Sequence, residues 1–285
     1  MNVMLSPLAA RLAPLVAALG RELVVVDVGA QTLEGEAHVY APLGALGVPV
    51  RLIGFEPLAG RAAARRAEEG GGAEDGSVEI IEAFVGAGRE EVFFENNASG
   101  TSSLLRLDAE FCAGFTSLAG LRTIASSRVR TERLDDLLGH VPAVDFLKLD
   151  IQGAELAALQ GAASVLARTA MIQCEVEFAP IYQGQPLFSE VELFLRRAGF
   201  MLIDLVTEAR RAPVVASGRA GAEQLLWADG VFVRRAELVS DDGLLAQAIL
   251  AAALYDKPGI AERALANHDR RHGGRLAAGF AGGGV

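Results

Sequence analysis

The chain has 285 residues, a formal charge of −10 at pH 7 and a pI near 5.0. This length suits one large α/β domain with additional helices, and the acidic balance without a Lys/Arg stripe argues against nucleic acid as a partner. No run reaches the roughly 18 apolar residues of a membrane span, so we expect a cytoplasmic protein. Cys112 and Cys174 lack metal-ligand or CxxC spacing, so neither a disulfide framework nor a metal site is predicted.

Short β-branched runs alternate with helical patterns along most of the chain, which is typical of βαβ units around a parallel sheet. An amphipathic helix is predicted within residues 1–21, before the sheet domain of residues 22–236. The predicted strands span residues 22–29, 50–57, 78–86, 144–151, 171–178, 200–206 and 225–235. Seven strands of this kind predict a doubly wound sheet.

Two additions to this sheet are predicted. The segments "EEVFFENN" (90–97) and "VRTERLDDLL" (129–138) suit an inserted β-hairpin. Residues 237–272 predict a helix hairpin, which would pack on the sheet, cover a site or form the face of a homodimer, with packing favoured. The Gly-rich residues 273–285 are expected to be disordered.

The first strand ends in "VVVDVGAQTLEG", where Asp27 closes an apolar run and Gly29 opens the turn. Open α/β folds bind ligands at this edge of the sheet. The G-x-G-x-x-G spacing of dinucleotide sites is absent, which disfavours NAD. Glu56, at the end of the second strand, can accept two hydrogen bonds from a ribose diol. Together these residues indicate a pocket for S-adenosylmethionine.

The stretch "FLKLDIQGAEL" (146–156) places Lys148 and Asp150 in an otherwise apolar strand. An unpaired buried charge costs several kcal/mol, so a partner is required. Alternation puts these two side chains on one face, and the next strand carries the polar row Gln173, Glu175 and Glu177. We therefore predict that Lys148 pairs with Asp150 or Glu175 within about 4 Å.

Methyl transfer from S-adenosylmethionine needs a fixed geometry and a group that takes the acceptor's proton, and this strand offers candidates for both. Asp150 is the first candidate for the base, with Lys148 orienting it or stabilising the oxyanion. The alternative is that the Lys–Asp pair only braces the site. Glu175 is a further catalytic candidate; Glu155 is either another or simply a helix-start residue.

Two loops are candidates for binding the acceptor. The loop "NNASGTSSL" (96–104) offers Asn97, Ser99 and Ser102, although any turn has this composition. The segment "APIYQGQPLF" offers Tyr182 and Gln183 at the mouth of the site.

The motifs "VVDVGA", "GFEP", "FLKLDIQGAEL" and "EVEFAPIYQGQPLF", in this order, resemble the FkbM family of S-adenosylmethionine-dependent methyltransferases over about residues 23–206. The resemblance implies a class I methyltransferase fold, Rossmann-like, with an antiparallel last strand. Leu33 stands where the family usually has a second glycine. The cofactor-binding residues implied are Asp27, Gly29, Ala30, Gln31, Glu56, Pro57, Ala83, Phe84 and Asp150.

The acceptor implied by the resemblance is a small molecule or glycan, with a hydroxyl of a sugar, glycan precursor or secondary metabolite as the methylated group. Two alternatives stay open. One is an NAD(P)-dependent oxidoreductase on a similar sheet, and the other is a homologue that keeps the cofactor pocket without turnover.

Overall fold

The computed structural model describes residues 6–32, 35, 37–68, 77–215 and 222–282. Leu33 therefore lies outside the described residues, as do 283–285. The strands are β1 (Leu23–Val28), β2 (Val50–Phe55), β3 (Val78–Ile81), β4 (Phe84–Val85), β5 (Glu90–Asn96), β6 (Thr123–Glu132), β7 (Val144–Leu149), β8 (Thr169–Glu177), β9 (Phe200–Arg211) and β10 (Gln224–Arg234).

Seven strands form one sheet in the order β3-β2-β1-β7-β8-β10-β9. β10, the last strand in the chain, is antiparallel to both of its neighbours, whereas the pairs from β3 to β8 are parallel. The predicted doubly wound sheet with an antiparallel last strand is confirmed. The strand order reverses between β1 and β7, and open α/β sheets bind ligands at such a point.

Helices cover both faces of the sheet. They are α1 (Pro7–Leu19), α2 (Pro42–Ala45), α3 (Ala59–Glu68), α4 (Ala109–Ala113), α5 (Leu134–Leu137), α6 (Glu155–Gln160), α7 (Ala163–Ala167), α8 (Phe188–Arg197), α9 (Asp241–Tyr255), α10 (Pro258–His272) and α11 (Leu276–Gly282). One apolar core joins α1, α2, α9 and α10 to the sheet face that carries Val25 and Phe146. A second core joins α5 to α8 to the opposite face.

The inserted β-hairpin is present, with different bounds. β5 and β6 pair antiparallel, and β4 pairs parallel with β6 in a separate three-stranded sheet. The prediction of one strand over residues 78–86 is wrong, because the chain leaves the main sheet after Ile81 and re-pairs at Phe84. The prediction that the hairpin strand continues through residues 133–138 is also wrong, since α5 begins at Leu134.

The two helices after residue 236 are α9 and α10, and α9 packs on the sheet. Ser240 caps α9 through a hydrogen bond from the Gly243 N–H, and the middle of the helix is buried on all sides. The expectation of disorder after residue 272 is wrong for α11. The Asp269 carboxylate accepts hydrogen bonds from the Leu276 and Ala277 N–H groups, which caps this helix.

Among the described residues, no helix is long and apolar enough to cross a bilayer.

Candidate active site

One cavity of about 1250 Å³ opens at the carboxyl ends of β1, β2, β7 and β8. A pocket for a single ligand usually measures roughly 300–1,000 Å³, so this cavity is larger than a pocket for one small ligand. Of the predicted site residues it is lined by Gly29, Gln31, Glu56, Pro57, Ala83, Phe84, Ser99, Ser102, Lys148, Asp150, Glu175 and Tyr182.

The half of the cavity beside β1 and β2 matches the predicted cofactor edge. Glu56 is only 3% exposed, and its Oε1 accepts the Leu58 N–H at 2.9 Å. Burial raises the pKa of Glu56 above its ordinary value. Ala83 and Phe84 line the cavity beside this carboxylate, so an apolar wall and a hydrogen-bond acceptor stand together.

Gly29 is required by the close approach of two chain segments. Its φ is +87°, and a Cβ placed there would lie 2.0 Å from the Asp150 carbonyl oxygen. The Gly29 N–H also donates to the Phe55 carbonyl at 3.1 Å, which fixes the turn against β2. Any side chain at this position would push β1 and β7 apart at the cavity.

Asp27 and Ala30, predicted to bind the cofactor, lie beneath the cavity rather than in its lining. Asp27 is fully buried and accepts hydrogen bonds from Lys148 Nζ at 3.2 Å and the Tyr40 hydroxyl at 2.8 Å. His38 Nδ1 lies 3.5 Å from the same carboxylate. Burial opposes ionisation of Asp27, but Lys148, His38 and Tyr40 outweigh it and hold its pKa below the usual range.

Lys148 Nζ lies 3.6 Å from Asp150 Oδ2, which confirms the predicted Lys–Asp contact. Its shorter contact is to Asp27, which the sequence reasoning did not anticipate. Burial disfavours the ammonium, yet the two carboxylates raise the pKa of Lys148 above its ordinary value. The Lys148 ammonium inside the strand is therefore stabilised by two carboxylates, those of Asp27 and Asp150.

Gln152 connects the residues around Asp150, and sequence reasoning did not assign it a role. Its Nε2 donates to Asp150 Oδ1 and Glu175 Oε2, each at 2.9 Å, and its Oε1 accepts from the Tyr182 hydroxyl at 3.2 Å. The residue has φ +59°, an unfavourable value for a side chain of this size. The sequence did contain a signal for a role of Gln152, because this residue directly follows the predicted charged strand and precedes Gly153.

Three buried glutamates form a cluster at the cavity, and two of them, Glu175 and Glu177, line it. Carboxylate oxygens of Glu155, Glu175 and Glu177 lie within 4.8 Å of one another. Burial raises the pKa of Glu155 to about 7, and burial with mutual repulsion raises the pKa of the other two well above the ordinary value. Glu155 does not line the cavity; its Oε1 accepts the Ile151 N–H at 2.7 Å. This contact ties the helix start to the end of β7.

The predicted acceptor loops contribute only in part. Ser99 and Ser102 line the cavity, and Ser99 Oγ accepts from Gln31 Nε2 at 3.3 Å. Tyr182 lines it and donates to the Thr101 carbonyl at 2.9 Å. Asn97 does not line it, because its side chain is bonded to residues 120 and 122.

Gln183 is also outside the lining, since its exposed side chain follows a backbone turn fixed by the bond from its N–H to the Arg106 carbonyl.

The half of the cavity over β8, β9 and β10 holds residues that the sequence reasoning missed. Trp227 and Asp229 on β10, Thr207 on β9 and Tyr255 at the end of α9 all line it. The Tyr255 hydroxyl donates to Gln173 Oε1 at 2.6 Å. These four residues are too far apart in the sequence to form a motif, so only the fold shows that they lie together.

A family model described as the methyltransferase FkbM domain matches residues 27–202. The chain belongs to the FkbM methyltransferase family. The resemblance read from the sequence motifs is thereby confirmed. A comparison with curated proteins gives no match.

Several solved methyltransferases are distantly similar to this FkbM domain. Magnesium protoporphyrin IX methyltransferase from Synechocystis PCC 6803, solved with bound S-adenosylmethionine, is 9% identical, with 80% of each chain covered and a TM-score of 0.37.

Two further structures show comparable similarity. The 1,6-didemethyltoxoflavin-N1-methyltransferase of Burkholderia thailandensis, solved with S-adenosylhomocysteine, is 15% identical, covering 81% of this chain and 79% of that one, with a TM-score of 0.33. Precorrin-6y C5,15-methyltransferase of Geobacter metallireducens GS-15 is 10% identical, with 78% and 88% covered and a TM-score of 0.36.

Proposed function

We propose that this domain transfers a methyl group from S-adenosylmethionine to a hydroxyl of a sugar, glycan precursor or secondary metabolite. One observation carries the proposal. A single cavity holds the buried carboxylate of Glu56 over β2 and the partly exposed carboxylate of Asp150 after β7. The first suits the ribose of a nucleoside, and the second suits a proton acceptor beside it.

The residues present fit this cofactor. Glu56 would accept hydrogen bonds from the ribose diol, and Ala83 and Phe84 offer an apolar wall for the adenine. Gly29 keeps the first turn free of a side chain where β1 meets β7. Gln31 Oε1 accepts a hydrogen bond from Arg61 Nη1 at 3.0 Å, which fixes the loop that follows Gly29.

When bound, S-adenosylmethionine supplies an electrophilic methyl group to the acceptor oxygen and leaves as S-adenosylhomocysteine. The chain must align the acceptor and take the hydroxyl proton. The Asp150 side chain is 37% exposed, so it is open to an acceptor in the cavity. Lys148 and Gln152 contact its two oxygens and fix the orientation of the carboxylate.

Asp150→Asn tests this assignment. We expect methyl transfer, measured as S-adenosylhomocysteine released with a panel of glycosides, to fall by roughly 10²- to 10⁴-fold, because the proton acceptor is lost. Binding of S-adenosylhomocysteine should change less than about threefold. Asp136→Asn, an exposed aspartate outside the cavity, is the matched control. A fully active Asp150→Asn variant would remove Asp150 from the mechanism.

A further inference from the structure

The cavity extends well beyond the proposed cofactor half. We call its far half the acceptor compartment, lined by Asp150, Glu175, Thr207, Trp227, Asp229 and Tyr255. Neighbouring strands lie about 4.8 Å apart, and β10 is the third strand from β1. Asp229, on β10, therefore lies roughly 14 Å from β1, which borders the cofactor half of the cavity.

Three carboxyl groups, those of Asp150, Glu175 and Asp229, line this compartment. Asp229 lies directly opposite Glu175 in the antiparallel pairing of β10 with β8, and Asp150 is close enough to raise the pKa of both. Acidic side chains placed opposite each other destabilise a sheet. Within the described part of the chain, Lys148 is the one base ion-paired with any of the three, and it is shared with Asp27.

Asp229 is more available for an ion pair than Glu175, which lies opposite it. Burial raises its pKa to about 6, so it is mostly ionised at neutral pH, whereas burial raises the pKa of Glu175 well above its usual range. The side chains of Thr207 and Gln173 oppose this rise in the pKa of Asp229. Thr207 has φ +53°, which is strained for a β-branched residue, and lies where the pairing of β9 with β10 shifts register. Backbone strain of this kind clusters at ligand sites.

We propose that the methyl acceptor carries a protonated amine as well as a hydroxyl, and that the ammonium binds at Asp229 in the acceptor compartment. This inference rests on the proposed function. An ammonium offers three hydrogen-bond donors, which the oxygens of Asp229 and Glu175 can accept, and a positive charge for Asp229, which has no ion-pair partner among the described residues. The ring of Tyr255 in the same compartment favours a cation further. The Trp227 ring is already covered by the Arg211 guanidinium, 4.6 Å from its centroid.

The positive charge of the bound cofactor would lie too far from Asp229 to form an ion pair with it. A donor bound from Glu56 to Asp150 spans β2, β1 and β7, which leaves the acids of β8 and β10 on its far side. Asp229 repels a phosphate or carboxylate group placed beside it, so this position selects against anionic acceptors such as sugar phosphates. Arg211, the cation that lines the cavity nearby, lies over the Trp227 ring. The acceptor class that fits is an amino sugar or a similar amine-bearing polyol.

Three glycosides that differ in one group test this inference. The full chain, saturated with S-adenosylhomocysteine, is titrated by calorimetry with the p-nitrophenyl β-D-glucosaminide, glucoside and glucuronide. We expect the glucosaminide to bind about tenfold or more tightly than the glucoside, and the glucuronide to bind most weakly. Equal affinities, a preference for the glucuronide, or no binding of the glucosaminide at millimolar concentration would overturn the inference.

Asp229→Asn tests the anchor itself. The variant should bind the glucosaminide no better than the glucoside while its affinity for S-adenosylhomocysteine stays unchanged, which also shows that it is folded. Asp204→Asn, on β9 outside the cavity, is the matched control and should keep the preference. Retention of the preference by Asp229→Asn contradicts the assignment. Failure of the wild type to bind S-adenosylhomocysteine would instead refute the proposed function on which the inference rests.

Discussion

Lys148 and Asp27 lie on neighbouring strands with their charged atoms 3.2 Å apart, and Asp27 is fully buried. The pair stays charged because Asp150 contacts the same ammonium and Tyr40 donates to the same Asp27 carboxylate. Removing one member of such a buried group leaves the other charge unpaired, which costs far more than the pair contributes. Lys148 on β7 and Asp27 on β1 are therefore stable in the core only as a pair.

Glu56 is the residue on which cofactor affinity should depend most. On the proposed assignment, Glu56→Ala removes up to two charge-assisted hydrogen bonds to the ribose, worth about 2–3 kcal/mol, so the Kd for S-adenosylhomocysteine should rise about 30- to 150-fold. Isothermal calorimetry measures this directly. Glu82→Ala, an exposed carboxylate just past β3 that does not line the cavity, should leave the Kd unchanged. Equal affinities of Glu56→Ala and the wild type would refute the ribose assignment.

For individual residues, the sequence predicted the lining of the cavity best where the motif is continuous along the chain. Glu56, Gly29, Lys148 and Asp150 were predicted and do line the cavity. Asp27 was assigned to the ligand, yet it supports Lys148 from below, because strand alternation predicts the face of a side chain but not its depth. Asp229 could not be found, since its partner Glu175 is more than 50 residues away.

Among the elements, α1, β1 and β7 are joined by one buried aspartate. Asp145 on β7 is 1% exposed and accepts both Arg21 guanidinium bonds, at 2.6 and 3.0 Å, and the Val24 N–H at 2.8 Å. It therefore fixes the turn between the first helix and the first strand against the centre of the sheet.

Asp145→Ala should lower the free energy of unfolding by about 2–3 kcal/mol, because hydrogen bonds to a charged group and one backbone donor are lost. Urea denaturation measures the change. Asp242→Asn removes the solvent-exposed partner of the same arginine and should cost less than about 0.5 kcal/mol. Similar losses in the two variants would show that burial of Asp145 contributes nothing.

Element types followed from periodicity better than element ends did. The alternating pattern predicted all seven strands of the main sheet, but β9 continues five residues beyond its predicted end. The extension carries polar side chains and lacks the apolar run used to place the strand, whereas pairing with β10 holds it in the sheet. The helix α11 was missed because its stability comes from Asp269 and from Phe280, which is buried under Arg11.

For the whole molecule, the buried glutamates predict an unusual pH dependence of stability. Glu155 has a pKa of about 7 in the folded chain because it is buried, against roughly 4.3 when unfolded. Between these values the folded state binds more protons than the unfolded state, so the free energy of unfolding falls as the pH rises.

Glu155→Gln removes this titration, and its amide oxygen can still accept the Ile151 N–H. The variant should therefore gain stability relative to the wild type as the pH rises from about 5 to about 7.5. Urea denaturation at each pH measures the difference. Glu237→Gln, which removes an exposed glutamate, should show a constant difference from the wild type. A constant difference for Glu155→Gln as well would mean that Glu155 is ionised throughout.

The account as a whole depends on the cavity binding S-adenosylmethionine. The most direct test is calorimetric titration of the full chain with S-adenosylmethionine, S-adenosylhomocysteine and NAD. The structure predicts one site per chain for each of the first two ligands, weakened together in Glu56→Ala, and no binding of NAD, because the turn at Gly29 lacks G-x-G-x-x-G. Binding of NAD in preference to S-adenosylhomocysteine, or binding that is unaffected by Glu56→Ala, would contradict the account.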